Sequence, residues 1–241
     1  MSIKRRRIRL NEVEIEVVQK KIKNLHLSVY PPHGRVKVSA PDRMALETIR
    51  TYLISKLGWI KKQQEKFRAQ KREPVRECLE RESHYFKGQR YLLHLEERHA
   101  PPKVTLSHSR IVLQVRPGSN EDKKRSVLES WYRRQLKEMV EQLVGEWREK
   151  IGVDVMNVTI RKMKTKWGSC TPATRSIRIN LELAKKPPEC LEYIVVHELA
   201  HLLEPSHNKH FIALLDHHLP KWRFYRDELN SLPIAHEEWR Y

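Results

Sequence analysis

The segment His197-Glu198-Leu199-Ala200-His201 constrains this chain more than any other, because it continues the apolar run Tyr193-Ile194-Val195-Val196 without a break. In a helix, positions i and i+4 lie one turn apart on one face, so His197 and His201 can aim their imidazoles at one ion. A helix this apolar is buried, and burying two histidines and a glutamate without partners is costly. The pattern fixes only three positions, and 13 histidines with 30 acidic residues leave room for a chance match. The apolar surroundings argue for a shared purpose instead. Glu198 can lie beside a metal without binding it and take a proton from water, the arrangement of zinc-dependent peptidases.

Catalytic zinc usually takes three protein ligands, so a third is expected downstream. Pro205 cannot continue the helix and disfavours helical geometry at Glu204, so the chain should turn there. His207 follows, with Ser206 as the expected N-cap of a second helix through Phe211, Leu214 and Leu215. A turn would carry His207 back toward the metal. His210, one turn further along, is the rival ligand and a candidate substrate contact. His217 and His218 read as surface histidines.

Upstream, Lys166-Trp167-Gly168-Ser169-Cys170 precedes the alternating Ser176-Ile177-Arg178-Ile179-Asn180-Leu181. Alternation predicts a half-buried strand, and a strand beside the metal helix could receive an extended peptide through main-chain hydrogen bonds. Trp167, Gly168, Ser169 and Ile179 are therefore candidate substrate contacts: Gly168 for close backbone approach, Trp167 as a flat apolar wall. Cys170 is either a further ligand or a buried small residue. His210, Tyr225 and Arg161 are candidate oxyanion stabilisers, and nothing in the sequence selects among them.

These residues resemble the YgjP-like metallopeptidase family, gluzincin-like proteins related in their cores to the SprT and WLM peptidases. The likeness rests on residues 161–170, the 177–180 strand, the 195–202 helix and His207-x3-Phe211. It extends upstream to residues 33–41, Trp59-Ile60 and residues 85–91, nearly the whole chain. A Trp-Gly-Ser-Cys segment followed by HExxH is far more specific than HExxH alone. The resemblance implies a metal-dependent hydrolase whose third ligand is the His of an Asn-His-Ser segment followed by Phe-Trp, which aligns with His207. This chain departs with Ser206 before it, Asn208 after it and Ile212 in place of Trp.

Charge is the second unusual feature. The net charge is +18, and residues 1 to 72 hold nineteen basic against six acidic side chains. Such a portion attracts polyanions, so nucleic acid or nucleotide is an expected partner beside a peptide or protein substrate; the competing reading is a merely solvated face. No apolar run approaches the roughly 18 residues that span a membrane. No apolar segment follows the basic start, so no secretory signal is read. Cys78, Cys170 and Cys190 form an odd set without metal-like spacing, which suits free thiols and a cytoplasmic setting.

Clean alternation at residues 13–17, 25–29 and 36–38 predicts an antiparallel meander over residues 8–40, with Pro31-Pro32-His33-Gly34 as a turn. Pro41-Asp42 should open a helix carrying Leu46, Ile49, Leu53, Leu57 and Ile60, whose polar continuation to Lys71 should enter solvent or a linker. Residues 84–116 read as further strands. Pro117-Gly118-Ser119-Asn120 precedes a long helix through Leu128, Trp131, Leu136, Met139, Leu143 and Trp147, ended by Gly152. No internal repeat is visible. The expected fold is α+β: a basic meander plus helix over 1–75, a β-hairpin region over 76–120, and a zincin-like metallohydrolase core over 121–241 built round the HExxH helix. The function read from it is a zinc-dependent peptidase with Glu198 as base and His197, His201 and His207 as ligands to Zn2+ or another divalent metal. A metal-dependent nucleoside triphosphate hydrolase and a nucleic-acid-associated protein with a zinc site are the alternatives.

Overall fold

The computed structural model describes residues 4–30, 34–69, 76–163 and 166–232. The chain divides into two compact units, residues 1–71 and 72–241, and the architecture is α+β.

The first unit holds β1 (Lys4–Leu10), β2 (Val13–Lys20), β3 (His26–Tyr30), β4 (Arg35–Pro41), α1 (Leu46–Ser55) and α2 (Leu57–Ala69). Its sheet has the order β1-β2-β4-β3, with β2 and β4 parallel, so it is two hairpins side by side and not the expected meander. Alternation assigns a strand its faces but not its neighbours; burial decides those. Val36, Val38 and Ala40 of β4 are wholly buried and need a central place, whereas β3 is only half-buried and lies at the edge. The helix starts later than expected, after Ala45, and is interrupted at Lys56. Its polar continuation is no linker: Gln64 Nε2 donates to the Gly34 carbonyl at 2.8 Å. Gly34 has φ +73°, and a β-carbon there would meet Gln64 Cγ at 2.6 Å, so conformation and space both require glycine. The expected turn residues Pro31, Pro32 and His33 lie outside the described residues.

The second unit begins with β5 (Ser83–Phe86), β6 (Gln89–Glu97), β7 (Lys103–Leu106) and β8 (Arg110–Val115) in the order β5-β6-β8-β7. This is the topology of the first sheet repeated, again with its second and fourth strands parallel. The sequence showed no repeat because the shared feature is a polar–apolar rhythm carried by different side chains. Residues 76–120 do not stand apart either. Leu93, Ile111 and Leu113 join one buried cluster with the helices that follow.

The long helix α3 (Glu121–Ile151) is capped by the Asn120 side chain, which accepts from the Lys123 N–H, and ends on Gly152 in the left-handed conformation. A three-stranded sheet follows: β9 (Asn157–Arg161), β10 (Gly168–Thr171) and β11 (Ser176–Asn180), ordered β10-β11-β9. Then come α4 (Pro188–Ala200), α5 (Lys209–His218) and α6 (Trp222–Ser231). Leu136 and Val140 of α3, Ile177 and Ile179 of β11, and Val195 and Leu199 of α4 form the centre of this core. Among the described residues no helix is long and apolar enough to cross a membrane.

Candidate metal centre

Pro188 sits in the first turn of α4, where its missing N–H is no loss. Burial then takes almost every side of this helix: Cys190, Leu191, Ile194, Val195, Val196, Leu199 and Ala200 are all covered. The partly open remainder carries His197, and His201 follows as the C-cap residue. Glu204 N–H closes the helix end onto the Ala200 carbonyl at 2.9 Å, and Pro205 turns the chain. Glu204 also fastens that turn. Its carboxylate accepts from the Ser206 hydroxyl at 2.8 Å and the Ser206 N–H at 3.2 Å, and these bonds hold it below the usual carboxylate range.

The turn returns His207 to the helix. His207 Nε2 and His197 Nε2 stand 3.0 Å apart, and the ligand atoms of His197, His201 and His207 all lie within 4.8 Å of one another. His201 Nδ1 is 3.0 Å from the Glu204 carbonyl. A carbonyl only accepts, so Nδ1 must donate, which leaves Nε2 as a lone-pair ligand. Burial, with His201 and His207 adding to it, pushes the His197 imidazole down to about 3, so it stays neutral. Its Nδ1 is buried without a hydrogen-bond partner. Packing orients this ring instead, against Tyr193 at 5.7 Å and Phe211 at 4.9 Å between centroids. Phe211 also meets His201 at 4.5 Å and His207 at 4.8 Å, so one buried ring backs all three imidazoles. Asn208, not the expected Ser206, caps α5, accepting from the Phe211 N–H at 3.1 Å.

This donor set fits a metal ion. Three imidazoles suit zinc, and two nitrogens of a tetrahedral zinc site are roughly 3.3 Å apart, close to the separation of His197 and His207.

Glu198 faces β10 from the same helix and is 5% exposed. Burial raises its carboxyl to about 7, with Lys166 pulling weakly the other way. A β-carbon on Gly168 would lie 2.5 Å from Glu198 Oε1, so the glycine is what lets strand and carboxylate meet. Asn180 secures the approach to that strand. Its Nδ2 donates to the carbonyls of Met163 and Lys166, both at 2.8 Å, and its N–H bonds the Trp167 carbonyl at 2.9 Å.

A cavity of about 490 Å³ joins these groups. Trp167, Gly168 and Ser169 line it with His197, Glu198, His201 and His207. Ile179 does not: it is fully buried, opposite Gly168 in the sheet register. His210 is exposed and lines a separate depression with Glu204 and His217. It sits in the first turn of α5 and is not part of the imidazole group that His207 joins. Cys170 lines the cavity but stands outside that group, and burial followed by the Glu198 charge raises its thiol to about 11. Neither Arg161 nor Tyr225 lines it.

Sequence reasoning missed Tyr193, which lines the cavity one turn before His197 and stacks on Trp222 at 6.2 Å. Its i−4 position was the available signal. Burial raises its hydroxyl to about 12, so it remains a neutral donor. Phe211, Glu204 and Asn180 were also missed as parts of the site.

Residues 23–232 match the family model described as YgjP-like, metallopeptidase domain. Among solved structures, the metallopeptidase zymogen abylysin of Pyrococcus abyssi is 23% identical, over 37% of this chain and 90% of that one, with a TM-score of 0.35. The zymogen jannalysin of Methanocaldococcus jannaschii is 23% identical, over 39% of this chain and 92% of that one, with a TM-score of 0.33. No curated protein matches the chain.

Proposed function

The chain belongs to the YgjP-like metallopeptidase family, and from that premise we propose a zinc-dependent peptidase working at His197, His201, His207 and Glu198. The observation that carries the reading is the convergence of three imidazoles beside a buried carboxylate. Zinc held by the three histidines would polarise a scissile carbonyl and acidify water. Glu198, lifted to about 7 by its burial, is poised to accept a proton from the attacking water near neutral pH and to hand it to the departing amine. Tyr193 stays protonated and offers a neutral donor at the cavity wall.

The strand that receives the peptide is assigned to β10. The sequence pointed to β11, but β11 is hydrogen-bonded on both sides, to β10 and to β9, and has no edge to offer. Among the described residues β10 pairs on one side only and borders the cavity. An extended substrate added there would lie along Gly168, beneath which Glu198 sits. Three free thiols suit a reducing, cytoplasmic setting.

Metal analysis beside digestion of a peptide library tests this reading. Glu198→Gln should keep bound zinc and lose most cleavage, and His201→Ala should lose both. Full cleavage by purified Glu198→Gln, or hydrolysis of nucleoside triphosphates in place of peptides, would overturn it.

A further inference from the structure

The face of the first sheet turned away from α1 and α2 carries a second feature. Along β1, Arg6 and Ile8 pair with Val17 and Ile15 on the side that packs against α1 and α2, so Arg5, Arg7 and Arg9 take the other side. There the register continues across the sheet: Arg7 lies opposite Glu16, Glu16 opposite Lys37, and Lys37 opposite Ser28. Arg7 pairs with Glu14 at 3.4 Å, and Arg35 with Glu16. Burial raises the Glu16 carboxyl, but Arg35, Lys37 and Arg5 outweigh it and hold it below its usual range. These cations therefore converge on one surface. Among the described residues no carboxylate pairs with Arg5, Arg9 or Lys37.

We propose that this face binds the phosphodiester backbone of a single-stranded nucleic acid. Successive same-face residues on a strand are about 6.8 Å apart, comparable with the step between phosphates of an extended chain. His26 and Tyr30 on the edge strand β3, opposite Ser39 and Arg35, flank Ser28 on the same face, where rings can stack on bases. Among the described residues this face presents strands side by side and no projecting helix to enter a duplex groove. Among the described residues, the large apolar side chains this unit exposes, Tyr52, Ile54 and Trp59, lie in its helices and not on the sheet face, which argues against insertion into a bilayer.

The test is fluorescence anisotropy of the full chain with a labelled oligothymidylate of about 20 nucleotides. Arg5→Gln with Lys37→Gln removes two charges from the face; Lys4→Gln with Arg6→Gln removes two from the same unit but from the opposite side. The first pair should weaken binding roughly tenfold at about 50 mM salt and flatten the logarithmic salt slope by roughly 1.4, while the second changes affinity less than about twofold. Arg5→Lys with Lys37→Arg keeps the charge and should keep the affinity, which separates lost charge from lost folding. Equal loss in the two glutamine pairs, absence of binding by the unaltered protein, or tighter binding to duplex DNA or phosphatidylserine vesicles would each overturn the proposal.

Discussion

At Gly168 the only side chain the structure tolerates is a hydrogen, because the Glu198 carboxylate occupies the space where a β-carbon would stand. Gly168→Ala should therefore displace Glu198 while leaving the three histidines in place. Cleavage should fall by about a hundredfold or more, the scale of a lost acid–base group, with zinc content unchanged. Steady-state kinetics and metal analysis of one preparation check this, and loss of zinc would mean the strand had moved as a whole. Burial has a second consequence at Glu198, whose carboxyl rises from 4.5 to about 7. In the metal-free protein the folded state keeps a proton that the unfolded chain has released between those values. The stability this gives is complete below about 4.5, is lost as pH rises toward 7, and is constant above, a change of about 3 kcal/mol. Melting temperatures of metal-free protein across that window should fall with pH, and Glu198→Gln should flatten the profile. At this scale helical spacing and Pro205 together point to the grouping of His197, His201 and His207 that the structure has. The sequence was silent on Glu204, whose carbonyl and carboxylate act through a turn that spacing cannot describe.

Elements were legible in kind more than in arrangement. The ends of α3 could be read from Asn120 and Gly152 because caps are local chemistry. The order of strands could not, since β4 enters beside β2 to bury Val36 and Val38, a choice made by the whole sheet. The same limit hid Asn180, which reads as the polar end of an alternating strand yet serves backbone groups as distant as Met163. Asn180→Ala would leave the carbonyls of Met163 and Lys166 without this donor and should cost about 2–3 kcal/mol. Because those bonds hold the segment entering β10, peptide affinity should weaken more than zinc content. Denaturant unfolding, KM and metal analysis together distinguish this from simple destabilisation, which would lower stability without touching KM.

For the molecule as a whole, composition placed the basic charge in the N-terminal portion, and backbone contacts separate a unit at residues 1–71 from one at 72–241. The sequence boundary near 75 came from the polar run before it; the further boundary at 120 fails because β6 and β8 bury Leu93, Ile111 and Leu113 against the core of the helices. Each unit has its own buried cluster, one round Ile15, Val38, Ile49 and Leu53, the other round Leu136, Ile179, Val195 and Leu199. All three histidines, Glu198 and β10 belong to the second. A chain of residues 72–241 should therefore fold cooperatively, hold zinc and cleave peptides within roughly threefold of the full chain, as an independent core allows. It should lose oligothymidylate binding, because the cationic sheet face goes with the first unit. Thermal unfolding, metal analysis and anisotropy on the shortened chain test all three points. If it folds and holds zinc but cleaves nothing, the first unit takes part in catalysis, and the assignment of the whole reaction to the second must be given up.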